Sequence, residues 1–448
     1  MANMLSAADN ELMTRVGPGT PVGDLMRQYW LPALMSVELP DPDSDPVRVR
    51  LLCEDLIAFR DTNDNVGLID NYCPHRRASL FFGRNEECGL RCVYHGWKFD
   101  VNGDCVDMPS EPAESNFKDK VKITAYPTQE RNGIIWAYMG TRTDPPPLPD
   151  IEPNMLPDDA EQSLWTAVRD CNWVQALEGD IDTSHLGFLH LGSLKPENLT
   201  PGSFDYYTVK ERTPLGYDIV ETDYGTSYGA WRTTDGDDIY WRIAHYLAPF
   251  YTMIPTSVLG VQVLVRAWVP IDDTHTMFWN ICGANPFARG IGTSKKGQTL
   301  AGAATDVSYA PNTTGFLGRW RLEANASNDY KIDREAQKTN KIYTGISGVH
   351  LQDQALTEAM GAITDREHEH LGASDSMVIK TRQSIIRAAR NLQEGVIPAT
   401  VDHPELYQER SGGTILPKGQ GWFEATKELR KAFVERPELV GTDKGKKN

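Results

Sequence analysis

The chain has 448 residues, 40% of them hydrophobic, and a formal net charge of −17. That length suffices for two or three domains, and the acidic balance argues against nucleic acid or an anionic lipid surface as a general partner. No apolar run reaches the roughly 18 residues of a transmembrane helix, and the start, MANMLSAADNELMTR, lacks the basic and apolar stretches of a secretory leader, which predicts a cytoplasmic location in a bacterial cell.

Residues 1 to 37 are expected to pack on the larger domain that follows. From 47 to 70, VRVRLLCEDLIAFRDTNDNVGLID alternates apolar and polar residues around a DTNDN turn, which predicts antiparallel strands. Short strand patterns with Gly and Asn turns continue to GIIWAYMG, near 140, before the proline-rich stretch DPPPLPDIEP. Proline cannot join a sheet ladder, so this stretch reads as a linker, and 38 to 145 reads as a small all-β domain.

Within that domain lies CPHRRASLFFGRNEECGLRCVYHGW, residues 73 to 97. The seven cysteines (53, 73, 88, 92, 105, 171 and 282) are an odd number without a secretory leader, so metal binding explains paired Cys and His better than disulfides do. Cys73-x-His75 and Cys92-x2-His95 offer two thiolates and two imidazoles. A tetrahedral zinc and an iron–sulfur cluster with unlike irons both take such a set. A zinc finger groups its Cys pair and its His pair, whereas each loop here supplies one of each. That mixing suits a [2Fe–2S] cluster with both Cys on one iron and both His on the other. Cys88 breaks the spacing and reads as structural. Arg76, Arg77, Arg84, Arg91 and Lys98 crowd the same stretch, either as solvated loop charge or as a docking patch for an acidic redox partner.

C-P-H-R, its His separated by sixteen residues from C-x-Y-H-G-W, resembles the Rieske motif of ring-hydroxylating oxygenases. The extra Cys that respiratory Rieske proteins carry in each loop is missing from the expected places.

Residues 171 to 190, CNWVQALEGDIDTSHLGFLH, have helical character. At about 100° per residue, with Asp182 at zero, His185 falls near −60°, His190 near +80° and Glu178 near −40°. Asp182 therefore sits between two histidines on one face, and the five-residue spacing of His185 and His190 predicts a bend near Gly187. Two His and one carboxylate suit a non-haem Fe(II) site with open positions for O₂ and substrate. D-x-x-H-x4-H also resembles the mononuclear iron motif of the same oxygenases. The resemblance makes His185 and His190 iron ligands. It makes Asp182 a bridge that hydrogen-bonds a ligand His on one side and meets a cluster-ligand His of the neighbouring subunit on the other. It also calls for a late-helix Asp as third ligand. Asp353, in GVHLQDQALTEAMG, is chosen ahead of Asp365 and Asp333, while His350, His368 and His370 read as surface or structural residues.

Strand patterns recur at TPLGYDIVETDYG, YWRIAHYLAPFYTMI and VLVRAWVPI, a Gly/Ala/Ser/Thr-rich segment from 285 to 327 predicts a long loop, and helical patterns return at DREAQKTNKIY, LQDQALTEAMG and SMVIKTRQSIIRAARNLQEG. The tail TDKGKKN is expected to fray. The expected fold is thus α+β: a small all-β domain before a larger one, 146 to 448, with an antiparallel sheet covered by helices.

GPGTPVGDLMRQYWLPAL, CPHRRASLFFGR, LEGDIDTSHLGFLH and QDQALTEAMGAITDREHEHLGASD together resemble the phthalate 4,5-dioxygenase type of oxygenase component. The resemblance implies trimers or hexamers of stacked trimers of one subunit type, a flavin or iron–sulfur reductase relaying NADH electrons, and O₂ as co-substrate. The product is a cis-dihydrodiol or a monohydroxylated or dealkylated aromatic compound. A phthalate-like carboxylate calls for Arg, whose fork pairs both oxygens. Arg242 and Arg232 lie in the expected pocket strands, and Glu178, Phe188, Trp231 and Phe250 are further pocket candidates. The alternatives are a demethylase of methoxy- or phenoxy-aromatics, a Rieske protein that only transfers electrons, and a zinc protein. The last two leave D-x-x-H-x4-H without a purpose.

Overall fold

The computed structural model describes residues 5–439, apart from 113, 158, 159, 161, 284–300 and 302–304. The tail expected to fray lies outside the described residues, as does much of the expected long loop. Within the described remainder of that loop, 305–325 forms no helix or strand, and Ala326 opens the 3₁₀ helix Ala326–Lys331.

Ser6 and Thr20 start the first two helices, α1 (Ala7–Thr14) and α2 (Pro21–Met26), by accepting from the N–H groups of Asp9 and Gly23. β1 (Trp30–Met35) follows. The alternating stretch then forms a three-stranded antiparallel sheet from β2 (Val47–Leu51), β3 (Glu54–Arg60) and β4 (Val66–Asp70). Asp61 makes the DTNDN turn by accepting from the N–H groups of Asn63 and Asn65, both at 2.9 Å. Four short strands, β5 (Arg84–Asn85), β6 (Leu90–Arg91), β7 (Lys98–Phe99) and β8 (Cys105–Asp107), form a meander. β9 (Thr128–Arg131) and β10 (Ile134–Tyr138) join β1 in a third sheet, so the N-terminal segment ends on strands of the β region. Ile57, Phe59, Ile69, Leu80, Leu90 and Phe99 make a separate core around Cys73 and Cys92. Each such side chain contributes about 1.5–3 kcal/mol on burial, so this small core suffices to fix two loops.

The second region opens with β11 (Gln162–Arg169), α3 (Trp173–Ile181) and α4 (Phe204–Lys210). It continues with β12 (Gly216–Thr222), β13 (Gly225–Thr233), β14 (Ile239–Leu247), β15 (Tyr251–Met253), β16 (Leu264–Asp272) and β17 (His275–Gly283). α5 (Arg334–Lys338), α6 (Val349–Ala359), α7 (Ser376–Gln393) and β18 (Gly412–Leu416) complete it. The sheet runs β11-β17-β16-β15-β14-β13-β12 with antiparallel neighbours, and β18 pairs with β14. α3 and α7 lie on the sheet, α6 packs on α3, and α2 packs on α7. α5 is shorter than the helix expected over 333 to 343, because the chain turns at Asn340, with φ 56°. No helix among the described residues is long and apolar enough to cross a membrane.

A latch joins the two regions. The turn between β2 and β3 holds Leu52 and Cys53 in the left-handed region, φ 47° and 68°. Their N–H groups donate to the carbonyls of Pro270 (3.2 Å) and Ile271 (2.9 Å) at the end of β16. Arg50 pairs with Asp272 at 3.4 Å. Arg27, 8% exposed, donates to Leu52 O at 3.0 Å and to Glu54 at 2.8 Å.

Candidate metal centres

Cys73 and Cys92 sit at the base of two similar turns. In each, the N–H four residues on returns to the Cys carbonyl: Arg77 to Cys73 and Gly96 to Cys92, both at 2.9 Å. Both closing residues are left-handed, φ 61° and 80°. The sulfurs are buried, while His75 is exposed and His95 half-buried. The two imidazoles meet edge-on with centroids 4.3 Å apart, and His75 stacks on Trp97 at 4.5 Å. The Cys73 thiol brings Cys92 down to about 6 against the opposing effect of burial, with help from the N–H groups of Tyr94 and His95, while Cys73 itself is pushed up. Buried thiols below rim imidazoles, one of each per loop, fit a [2Fe–2S] cluster with one thiolate-held and one imidazole-held iron.

The basic residues nearby are largely spoken for. Arg84 and Arg91 pair with Glu86, Arg91 also with Asp107 at 2.6 Å, and Lys98 with Glu87 at 3.2 Å. Arg77 stacks on Tyr72 and pairs with Asp70. Of the five, Arg76 alone makes no ion pair among the described residues. It hydrogen-bonds the exposed Tyr94 at 3.3 Å. The expected docking patch is thus mostly neutralised within the domain. Cys88 lies in the β5–β6 turn, where Asn63 donates to its sulfur at 3.1 Å, a structural place.

The second centre departs from the ideal-helix reading. α3 ends at Ile181, and Asp182 is extended, with φ −91° and ψ 105°. The reason is local: Asp182 Oδ1 accepts from the N–H of Ser184 at 2.7 Å, a side-chain turn that competes with helix hydrogen bonding, and Thr and Ser follow. His185 then opens a 3₁₀ turn, His185–Gly187. A side chain at 187 would strike Arg212, whose guanidinium gathers the carbonyls of Gly187, Leu191, Gly192 and Leu194, the loop that carries His190. Asp353 lies one turn inside α6, which starts at Val349 rather than beside it.

These elements bring three donors together. His190 Nε2 is 3.1 Å from His185 Nε2 and 3.1 Å from Asp353 Oδ1, and His185 Nε2 is 3.6 Å from Asp353 Oδ1. Bonds of about 2.1 Å meeting at right angles put neighbouring donors about 3.0 Å apart, so the triangle fits one face of an octahedral metal. Three lone-pair donors aimed at one point repel one another unless positive charge lies between them. His190 Nδ1 donates to Gln352 Oε1 at 2.7 Å, and Gln352 Nε2 donates to the Ile346 carbonyl at 2.8 Å. That fixes the tautomer that leaves Nε2 of His190 free to bind metal. His185 Nδ1 lies 3.7 Å from Asp182 Oδ2, ion-pair rather than hydrogen-bond range, and is otherwise orphaned. Burial pushes His185 down, but Asp182 and Asp353 outweigh it and raise it to about 8. Burial likewise opposes the charge on Asp353, yet the two histidines hold it well below the usual carboxylate range.

The triad stands between two spaces. An inner cavity is lined by Asp180, Thr183, Tyr228, Arg242, Arg266 and the triad itself. An outer cleft of about 410 Å³ is lined on the other side by Glu178, Phe188, Tyr343, Leu356 and Met360, together with Asp182, His185 and Asp353. Arg242 faces the cavity as expected, with Nε 3.3 Å from Thr183 Oγ1, and no carboxylate among the described residues lies within ion-pairing distance of it. Arg266, also in the cavity wall, is paired with Asp180 at 2.5 Å. The other pocket expectations are redistributed. Arg232 is 0% exposed, turns to the carbonyls of Glu211 and Arg212, and does not line the cavity. Glu178 is clamped by Arg382 at 2.6 Å and Arg366 at 3.3 Å. Phe188, 45% exposed, belongs to the cleft, Trp231 is half-buried, and Phe250 is core. His350 is buried against Trp165, while His368 is exposed with Asp365 beside it, at 2.9 Å. Gln352, Thr183 and Arg212 were not singled out from sequence. Gln352 alone left a signal, a polar residue three on from Val349 on the inward face of an amphipathic helix.

Residues 29–127 match the Rieske [2Fe-2S] domain, and residues 137–444 match the family described as LigXa C-terminal domain like. The chain belongs to the Rieske non-haem iron oxygenases. This Rieske oxygenase is 44% identical to the 3-chlorobenzoate-3,4-dioxygenase oxygenase subunit of Comamonas testosteroni, over 96% of this chain and 100% of that one. It is 40% identical to the phthalate 4,5-dioxygenase oxygenase subunit of Pseudomonas putida, over 88% of each. It is also 40% identical to the 5,5'-dehydrodivanillate O-demethylase oxygenase subunit of a Sphingobium species, over 89% of this chain and 84% of that one. In fold it is similar to the terminal oxygenase of carbazole 1,9a-dioxygenase from Novosphingobium sp. KA1, with a TM-score of 0.51 at 18% identity, covering 86% and 96% of the two chains. The chain is therefore an oxidoreductase, a terminal oxygenase of the aromatic ring-hydroxylating and demethylating kind, whose family uses a Rieske cluster, a mononuclear iron, O₂ and reductase-delivered electrons.

Proposed function

We propose that this oxygenase acts on an aromatic carboxylate, held by Arg242 beside an iron on His185, His190 and Asp353. The observation that carries the reading is Arg242 itself: a buried guanidinium, facing the cavity beside the triad, with no carboxylate to pair with. Burying an unpaired cation costs several kcal/mol, so an anionic ligand is the expected partner. Ala230, directly opposite Arg242 in the ladder, adds little bulk to that face of the sheet. The relatives named for chlorobenzoate and phthalate support a carboxylated ring. The cluster is assigned to Cys73, His75, Cys92 and His95.

When bound, the cluster passes single electrons and the iron supplies the chemistry of O₂ activation. The residues do the rest. Arg242 fixes the ring by its carboxylate, so one ring edge faces the triad. Asp182 keeps His185 oriented and, with His185, opens onto the outer cleft, on the side away from Arg242, where a cluster from another subunit of a trimer would dock. Gln352 holds the proton on Nδ1 of His190.

The test is O₂ uptake by anaerobically reconstituted protein with a reductase and NADH. The panel is 3-chlorobenzoate, phthalate and a methoxylated benzoate, with products identified by mass spectrometry. Uptake matched by a dihydrodiol or hydroxylated acid is expected. Release of formaldehyde would instead select the demethylase reading, which the dehydrodivanillate relative favours. Arg242→Met is expected to raise KM roughly 10- to 100-fold, the value of a lost charged hydrogen bond. An unchanged KM would defeat the carboxylate reading.

A further inference from the structure

The tripeptide Asp182-Thr183-Ser184 carries the proposed bridge and leads into a proposed iron ligand, yet it lies beyond the end of α3 and before the 3₁₀ turn. Side chains tie it down instead. Ser184 Oγ hydrogen-bonds the Tyr217 hydroxyl on β12. Thr183, 4% exposed, accepts from Arg242 Nε on β14, and the Tyr228 phenol on β13 also reaches it. Tyr217, Ala230 and Arg242 are in register across three neighbouring strands, so the sheet offers one rigid floor. One of the ties to that floor is the guanidinium assigned to substrate.

We infer that Thr183 is a positioning residue that couples occupancy of Arg242 to the placement of Asp182 and His185. A carboxylate on the outer nitrogens of Arg242 draws the guanidinium into one orientation and sharpens the weak 3.3 Å contact from Nε to Thr183. Helix hydrogen bonds hold only the ends of the segment, Asp182 N–H to Glu178 O at 3.2 Å and the N–H groups of Phe188 and Leu189 to His185 O, and among the described residues Thr183 and Ser184 between them make none to resist that pull, so their geometry is set when substrate is present. The inference rests on the reading of Arg242 as the carboxylate anchor.

The test is hydrogen exchange of the full chain, followed in peptides covering 182–190. It is run with and without a mixture of benzoate, 3-chlorobenzoate and phthalate, on protein with and without added Fe(II). Wild type is expected to show acid-dependent protection of the segment. Thr183→Val keeps the shape and removes the hydroxyl. It is expected to bind the acid with little change in Kd, to lose the protection and, in the loaded enzyme, to consume O₂ with less product. Thr183→Ser restores the hydroxyl and is expected to restore both. Persistent protection in Thr183→Val overturns the inference. So does a loss of acid affinity as large as that of Arg242→Met, or a failure of Thr183→Ser to rescue. If Arg242→Met binds the acid as wild type does, the anchor reading falls and the coupling falls with it, whereas an acid that binds wild type without protecting the segment defeats the coupling alone. If Arg242→Met loses the acid while Thr183→Val is indistinguishable from wild type, only the coupling falls.

Discussion

Replacing Gln352 with Leu isolates the support of one proposed iron ligand. The glutamine is 1% exposed, accepts from His190 at 2.7 Å and donates to Ile346 O at 2.8 Å. Leu fills much the same volume but leaves Nδ1–H of His190 buried without an acceptor, at a cost of about 1–3 kcal/mol. It also frees the imidazole to place its proton on Nε2, the nitrogen that faces Asp353. Losing such an outer partner costs about 10–100-fold in metal affinity, or roughly 1.4–2.8 kcal/mol, which agrees with the hydrogen-bond figure. The assay is Fe(II) retention against a graded chelator, read beside the visible spectrum of the cluster, which lies in the other domain. The expected result is weaker iron, an unchanged cluster and recovery in Gln352→Glu, which keeps an acceptor. Wild-type iron retention in Gln352→Leu would refute the reasoning, as would equal loss of iron and cluster, which signals general unfolding.

His75→Cys replaces a proposed neutral ligand with a charged one, so a redox titration is expected to give a lower cluster potential; an unchanged potential would remove His75 from the cluster. Arg212→Met strips the 187–194 loop of its shared donor and is expected to destabilise the chain by about 1.5–3 kcal/mol and to weaken iron binding while the cluster stays intact, as read by thermal melting and metal analysis. Burial, then Arg430, pushes His245 down to about 3, while an unfolded histidine titrates near 6.5. As pH falls the unfolded chain takes the proton first, so the stability from neutral His245 is complete above about pH 6.5 and is lost toward about pH 3, up to roughly 5 kcal/mol. Denaturant titrations across that window should therefore slope more steeply for wild type than for His245→Asn.

What the sequence made legible was the grouping of residues at fixed spacing. Cys-x-His and Cys-x2-His sit on short turns, so four residues in order describe one site. D-x-x-H-x4-H likewise named its histidines, although the helical wheel used to relate them fails at Asp182. There a carboxylate closing its own turn outcompetes the helix, a contest between neighbours that periodicity does not register. Asp353 reaches the triad by tertiary packing of α6 on α3, and family resemblance rather than spacing singled it out. The basic stretch needed the fold: of its five cations, Arg77, Arg84, Arg91 and Lys98 meet Asp70, Glu86, Asp107 and Glu87, partners that the folded strands bring to them, while Arg76 makes no ion pair among the described residues. Glu178, four residues before Asp182, was expected to line the pocket. Arg366 and Arg382, some two hundred residues later, occupy it instead.

The latch at Leu52 and Cys53 bears on how this protein can be re-engineered. Its donors come from the cluster-bearing region, its acceptors from the end of β16, and Arg27 from the N-terminal helices secures it from a third direction. A chimera that takes a cluster domain from one relative and a catalytic sheet from another must carry residues 27, 50–54 and 270–272 from a single parent. Otherwise the graft breaks hydrogen bonds at a seam that includes none of the proposed metal ligands. The two halves are better treated as a matched pair than as interchangeable cartridges.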